Sequence, residues 1–291
     1  MLMQEEIYEL QRFAKKIQME TIKTIAGLGV GHVGGALSIA DVLAVLYGRQ
    51  MNYRAEDPRW EERDWLVVSK GHAGPAVYAA LALKGFFPME ELQTLNQPGT
   101  HLPSHCDRNL TIGIDITTGS LGQGASAAAG VAFSLKLDEK DSRVFLIMGD
   151  GELNEGQIWE MALFAAHNKL SNLIAFVDQN HLQIDGTTDE VCALGDIGEK
   201  FRSFGWYAQS IKGHDVAEID EAIEKARMER ERPSVIVLDT VKGNGWRATA
   251  GKVESHSRNI TKEDMEDALA QMQQALDEIG RLSAREGETL G

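Results

Sequence analysis

Nowhere in its 291 residues does the chain hold the run of about eighteen apolar residues that a membrane-spanning helix needs. It has only two cysteines, Cys106 and Cys192, too few for a disulfide scaffold and without metal-ligand spacing, so both read as reduced thiols. Positive charge is also short: 29 basic against 44 acidic residues give a net charge of −15, and the basic residues are scattered. A nucleic-acid surface, which needs clustered Lys and Arg, is therefore not expected. The N-terminus carries acids early and keeps a helical repeat, unlike a signal peptide, which makes the cytoplasm the expected location. No repeat unit, low-complexity tract or Pro/Gly/Ser linker interrupts the body.

What remains, 43% hydrophobic and 25% charged, is globular in composition. Short apolar runs ending in turn residues mark strands at 65–71, 143–151, 172–180, 205–213 and 234–243. Several are apolar on both faces, as strands of a parallel sheet covered by helices must be. Between them lie helical patterns: Ser38 and Asp41 ahead of "VLAVLY" resemble a capping box, and "GPAVYAALALKG" ends on a glycine suited to the left-handed position after a helix. The stretch from Gly122 to Gly130 predicts a helix with a nearly bare face, for close approach of another helix or a second subunit, with ordinary core packing as an equal reading. "VAEIDEAIEKARM" and "TKEDMEDALAQMQQALDEI" are amphipathic, and the residues after Ile279 read as loosely held. The expected fold class is α/β, a doubly wound, mostly parallel sheet flanked by helices. It forms one domain over 1–291 with a helical tail from about 261, and ligands bind beyond the carboxyl ends of the strands.

The richest stretch is "MGDGELNEGQIWEMALFAAHNKLSNLIAFVDQNHLQIDG". Asp150 follows one apolar strand between two glycines, and Asn180 ends the next. Each alone is ordinary turn chemistry. Together they bring a carboxylate and an amide oxygen to one sheet edge, hard-oxygen ligands for Mg²⁺ or Ca²⁺, and Mg²⁺ completes its shell with phosphate and water. The implied ligand is a diphosphate held through a cation.

These residues resemble the thiamine-diphosphate signature, and the flanking "GHVGGALSIADVLAVLY", "VSKGHAGPAVYAAL", "DITTGSLGQGASAAAG" and "TVKGNGW" resemble transketolase over almost the whole chain. The match is to the diphosphate-binding (PP) domain alone. Carried over residue by residue, the resemblance implies metal ligation by the side chains of Asp150 and Asn180 and the backbone carbonyl of Leu182, with Mg²⁺ expected and Ca²⁺ or Mn²⁺ as alternatives. Cofactor contacts are implied for His72, Gly119, Ser120, Leu121, Gly149, Gly151, Glu155, Asn180 and His256. Glu155 would lie below the metal, and Glu160 in a carboxylate network between subunits. Gly119, Ser120 and Leu121 would pack on the thiazolium ring, with Ser120 also readable as a helix cap.

Four of the eight histidines, His32, His72, His105 and His256, sit in glycine-rich or polar loops, where chemistry concentrates. The resemblance places His72 and His256 at the reaction centre and His32 and His105 at the sugar hydroxyls. Imidazole suits proton transfer to and from those hydroxyls, and imidazolium would stabilise a developing alkoxide. His101, His167, His181 and His214 read as structural.

The resemblance further implies thiamine diphosphate as cofactor and transfer of a two-carbon ketol unit from a ketose to an aldose. The pyrimidine-binding domain and C-terminal domain of full-length transketolases have no counterpart here. A separately encoded pyrimidine-domain subunit is therefore expected as partner, in a two-plus-two heterotetramer. Two departures, His105-Cys106-Asp107 and "SHSRNI", fall on the substrate side and leave the sugar open. A 1-deoxyxylulose-5-phosphate synthase-like or dihydroxyacetone synthase-like enzyme subunit, or a non-catalytic binding protein on the same fold, stands as the alternative.

Overall fold

The computed structural model describes residues 2–289, with side chains described through 286. The first residue and the last two of the expected 1–291 domain lie outside the described residues. In chain order the elements are α1 (Gln4–Leu28), β1 (Val30–Gly31), α2 (Gly34–Leu37), α3 (Ala40–Val45), β2 (Trp65–Val68), α4 (Gly74–Leu83), α5 (Gln123–Leu137) and β3 (Val144–Gly149). There follow α6 (Gly156–His167), β4 (Leu173–Gln179), α7 (Thr188–Cys192), α8 (Ile197–Ser203), β5 (Tyr207–Lys212), α9 (Val216–Met228), β6 (Ser234–Asp239), β7 (Arg258–Asn259) and α10 (Lys262–Thr289).

The five expected strands form one parallel sheet in the order β2-β3-β4-β6-β5. Its faces follow from alternation along each strand. Phe145, Ile147, Ile174, Phe176, Ile236 and Leu238 face the layer built from α1 to α4 and α9. Val144, Leu146, Met148, Leu173, Ala175 and Val177 face α5, α6 and α8. β3 is buried at every position, so no polar residue could interrupt it until the chain left the sheet at Asp150. At this central point the strands are in register, with Gly149 opposite Asp178 and Asp178 opposite Leu238.

Two local expectations are corrected. Ser38 caps no helix: it ends α2, and its hydroxyl bonds Gly35 O and the Asp178 carboxylate instead, because that buried acid is the stronger acceptor. Ser120 is likewise not the cap of α5. Gly122 takes that place at φ +84°, a conformation glycine adopts without steric cost. The small-residue face of α5 is used within the chain at Gly124, where an added Cβ would lie 2.7 Å from Ser69 Cα, whereas Gly130 faces open space. Gly85, at φ +82°, follows α4 as its sequence suggested. α10 runs on past Ile279, and Ser283 donates a 2.7 Å hydrogen bond to Glu5 of α1.

Candidate active site

At the carboxyl ends of β2, β3, β4 and β6 the loops enclose a cavity of about 300 Å³. Asp150 leaves β3 into a single 3₁₀ turn, and its carboxylate accepts from Gly151 N at 2.8 Å and His181 N at 2.7 Å. His181 takes φ +65°, so a left-handed residue lies between Asn180 and Leu182. The Asn180 amide nitrogen donates to Asp178 at 2.7 Å, and its oxygen accepts from Leu182 N at 3.3 Å. Burial and the nearby Asp178 push the Asp150 carboxyl up to about 6.

Beneath these groups lies Asp178, wholly buried. It accepts from Ser38 Oγ at 2.7 Å, Lys70 Nζ at 2.5 Å and Thr240 Oγ1 at 2.5 Å, as well as from Asn180. Burial acts to raise its pKa, yet Lys70 and these donors outweigh it and the carboxyl sits below its ordinary value. Glu152, also buried, accepts from Ser69 Oγ, from Gly122 N at 2.7 Å and from Gly149 N at 3.1 Å, tying the ends of β2 and β3 to the start of α5. Lys242 reaches Leu182 O at 3.0 Å and His256 Nδ1 at 3.2 Å, and burial pushes it down to about 8.

The four loop histidines converge. His32 has its ring centroid 5.4 Å from His72, 5.6 Å from His105 and 5.3 Å from His256, and His72 lies 5.2 Å from His256. The short antiparallel pairing of β1 with β7 holds the His32 loop against the segment that follows His256. Burial lowers the pKa of all four, with His256 down to about 4, helped by Lys242 and His32. Neighbouring cations and poor solvation thus disfavour the imidazolium form, most strongly at His72 and His256. His101 is exposed and stands outside the cavity wall, whereas His105 lines it.

Of the other expected residues, Gly119, Leu121, Gly149, Gly151, Asn180 and Leu182 line the cavity, and Ser120, Glu155 and Glu160 do not. Glu155 has extended backbone at the entry to α6 and is exposed, and Glu160 lies on an exposed position of that helix. The acid drawn into the interior is Glu152, which the sequence reading passed over together with Lys70, Asp178, Gln183 and Lys242. The 3₁₀ turn after Asp150 turns Glu152 inward. Its place inside "GDGE" was the available signal.

The residues present fit a metal and a diphosphate. A carboxylate, an amide oxygen and a carbonyl form a hard-oxygen donor set. Two ammonium groups, Lys70 and Lys242, line the same cavity, as does Gln183, whose buried Nε2 has no partner among the described residues. Glycines keep the cradle open, since a Cβ on Gly151 would come within 3.0 Å of Gln183 and one on Gly35 within 3.1 Å of His72.

Comparison with known proteins shows the family of the chain. Residues 10–277 match the family described as "Transketolase, thiamine diphosphate binding domain". The 6-deoxy-6-sulfo-D-fructose transketolase subunit SqwG of Clostridium sp. (strain MSTE9) is 52% identical over 93% of this chain and 98% of its own. An apulose-4-phosphate transketolase subunit of Phocaeicola vulgatus is 34% identical over 95% of this chain and 98% of its own. The crystal structure of transketolase from Campylobacter jejuni superposes with a TM-score of 0.84 at 27% identity, covering 99% of this chain and 48% of that one. The chain thus spans about half the length of the solved transketolases it matches, and belongs to the transketolase family as a subunit carrying its thiamine diphosphate binding domain.

Proposed function

We propose that this chain is the diphosphate-holding half of a transketolase whose active site is completed by a separately encoded pyrimidine-domain subunit. The observation that carries this reading is the meeting of Asp150, Asn180 and the Leu182 carbonyl at adjacent strand ends, beside four converging imidazoles. Asp150, Asn180 and Leu182 would hold Mg²⁺. Lys70, Lys242, Gln183 and the Gly151 amide would face the diphosphate. When bound, thiamine diphosphate supplies the nucleophilic carbon and the electron sink.

The chain's own part is binding, orientation and proton handling. A neutral imidazole can take the proton leaving a ketose hydroxyl and later return one to the acceptor aldehyde oxygen. Its N–H can also donate to an alkoxide as charge develops. His32 and His105 are assigned to the sugar hydroxyls, His72 and His256 to the reaction centre. Glu155 and Glu160, exposed here, suit contact with a partner subunit.

The full assembly is proposed as a two-plus-two heterotetramer in the cytoplasm. Among the described residues no helix is long and apolar enough to cross a membrane, which supports a location off the bilayer. The ketose is proposed to lie outside the central pentose phosphates, on the strength of His105-Cys106-Asp107 and of the name of the relative at 52% identity. Its 6-deoxy-6-sulfofructose is the first donor to assay.

The test is ketol transfer by the chain alone, by its cognate partner alone and by the two mixed, with sulfofructose, fructose 6-phosphate, pyruvate and formaldehyde offered separately. Activity only in the mixture, with a ketose donor, is expected. Asp150→Ala should abolish Mg²⁺-dependent cofactor binding by the mixture. Full activity of the chain alone would overturn the split-site reading, and unaltered cofactor affinity in Asp150→Ala would overturn the metal assignment.

A further inference from the structure

A second cavity, of about 730 Å³, opens at the amino end of β2, away from the strand end that carries the histidines. Its walls come from residues 57–65 and from 108–115, part of a strap that runs along β2 between His105 and Gly119. Three arginines, Arg59, Arg63 and Arg108, line it against two aspartates, Asp57 and Asp115. Arg63 is already committed: its guanidinium is 2.5 Å from Asp115 and lies 4.2 Å from the centre of the Trp65 ring. The guanidinium groups of Arg59 and Arg108 have neither salt bridge nor hydrogen bond among the described residues, in a chain whose net charge is −15.

The same wall is apolar elsewhere. Leu110 and Ile112 line it with 47% and 53% of their surfaces exposed, and the Trp65 indole N–H is buried without an acceptor among the described residues. Two guanidinium groups without a salt bridge or hydrogen bond, beside exposed aliphatic surface, suit an oxyanion carried on an apolar body. We propose that this cavity is a second ligand site, separate from the thiamine site, that takes a small organic oxyanion of the phosphate, sulfonate or carboxylate class.

The strap separates the two cavities. Its neck is closed by Thr118 N to Cys106 O at 3.0 Å and Arg108 N to Thr117 Oγ1 at 3.1 Å, so changes to the side chains of Arg59 and Arg108 leave the catalytic wall in place. Both arginines are exposed, and their loss removes no side-chain hydrogen bond or salt bridge among the described residues.

The experiment titrates the purified full-length chain with phenyl phosphate, read by calorimetry and indole fluorescence, with inorganic phosphate as the second probe. Saturable binding is expected in the unmodified chain and in Lys242→Met, which removes a cation of the thiamine site, and weakened at least about tenfold in Arg59→Ala/Arg108→Ala. The single reversal Arg108→Glu should weaken it similarly and guards against misfolding of the double variant. Inorganic phosphate should bind more weakly than phenyl phosphate. No saturable binding, or binding kept undiminished in the arginine variants, would overturn the site, and equal affinity for the two probes would overturn the organic class.

Discussion

The Lys70 ammonium sits 2.5 Å from the Asp178 carboxylate, with both side chains almost wholly removed from solvent. The pair joins the loop after β2 to the end of β4, and Ser38 and Thr240 attach two further elements to the same acid. Removing one charge strands the other. Lys70→Met should therefore cost about 3–5 kcal/mol. Asp178→Asn combined with Lys70→Met should recover part of that loss. Urea unfolding of the two variants checks this, and a loss under about 1 kcal/mol in Lys70→Met would mean that the remaining donors neutralise Asp178 unaided.

Glu152 uses both oxygens to accept from backbone N–H groups of Gly122 and Gly149. Glu152→Gln must turn its amide nitrogen toward one of them, opposing donor to donor at a cost of about 1–3 kcal/mol. Since Gly149 lines the cavity and Gly122 follows the loop Gly119–Leu121, the variant should bind thiamine diphosphate and Mg²⁺ more weakly in the reconstituted enzyme, by about tenfold. Equilibrium titration of the cofactor measures it. Unchanged affinity would reduce Glu152 to an internal brace.

His181 occupies φ +65° between two proposed ligands of the metal. Glycine tolerates that backbone and valine does not. His181→Gly should stay within about 1 kcal/mol of the parent and keep cofactor affinity, the relief of strain offsetting the gain in unfolded-state freedom and the loss of an exposed Asp239 contact. His181→Val should lose both stability and affinity. Equal behaviour of the two variants would show that the turn is not required.

His256 is neutral in the folded chain down to about pH 4, against an ordinary value of 6.5, with Lys242, His32, Lys70 and His72 around it. The unfolded chain takes up its proton first as pH falls, so stability is complete above about pH 6.5 and is lost between there and pH 4. His256→Gln removes this contribution. The stability difference between parent and variant, read from urea midpoints, should shift in the parent's favour by at most about 3 kcal/mol as pH rises from 4 to 6.5, then stay level. A difference independent of pH would mean the ring is solvated.

The strands and the Asp150 to Asn180 corner were legible because each is written locally. An apolar run must stop where the sheet stops, and turn residues mark the stop. Lys70 and Asp178 were not legible as a pair, since 108 positions separate them and only the sheet brings their loops together. Ser38 misled for the same reason, its local capping pattern giving way to a distant acid. Glu155 lies three residues after Glu152, but the 3₁₀ turn that holds Glu152 ends at Asn154 and leaves Glu155 extended, a break that no local pattern announces.

The strap along β2 bears on how subunits can join. Leu66 N donates to Asp115 at 2.9 Å and Val68 O accepts from Thr118 at 2.7 Å, so the outer rim of the sheet has no vacant main-chain rungs at these positions for an incoming strand. At these positions a companion polypeptide cannot add a strand along the β2 rim, and truncating the strap would expose main-chain groups prone to edge-to-edge self-association.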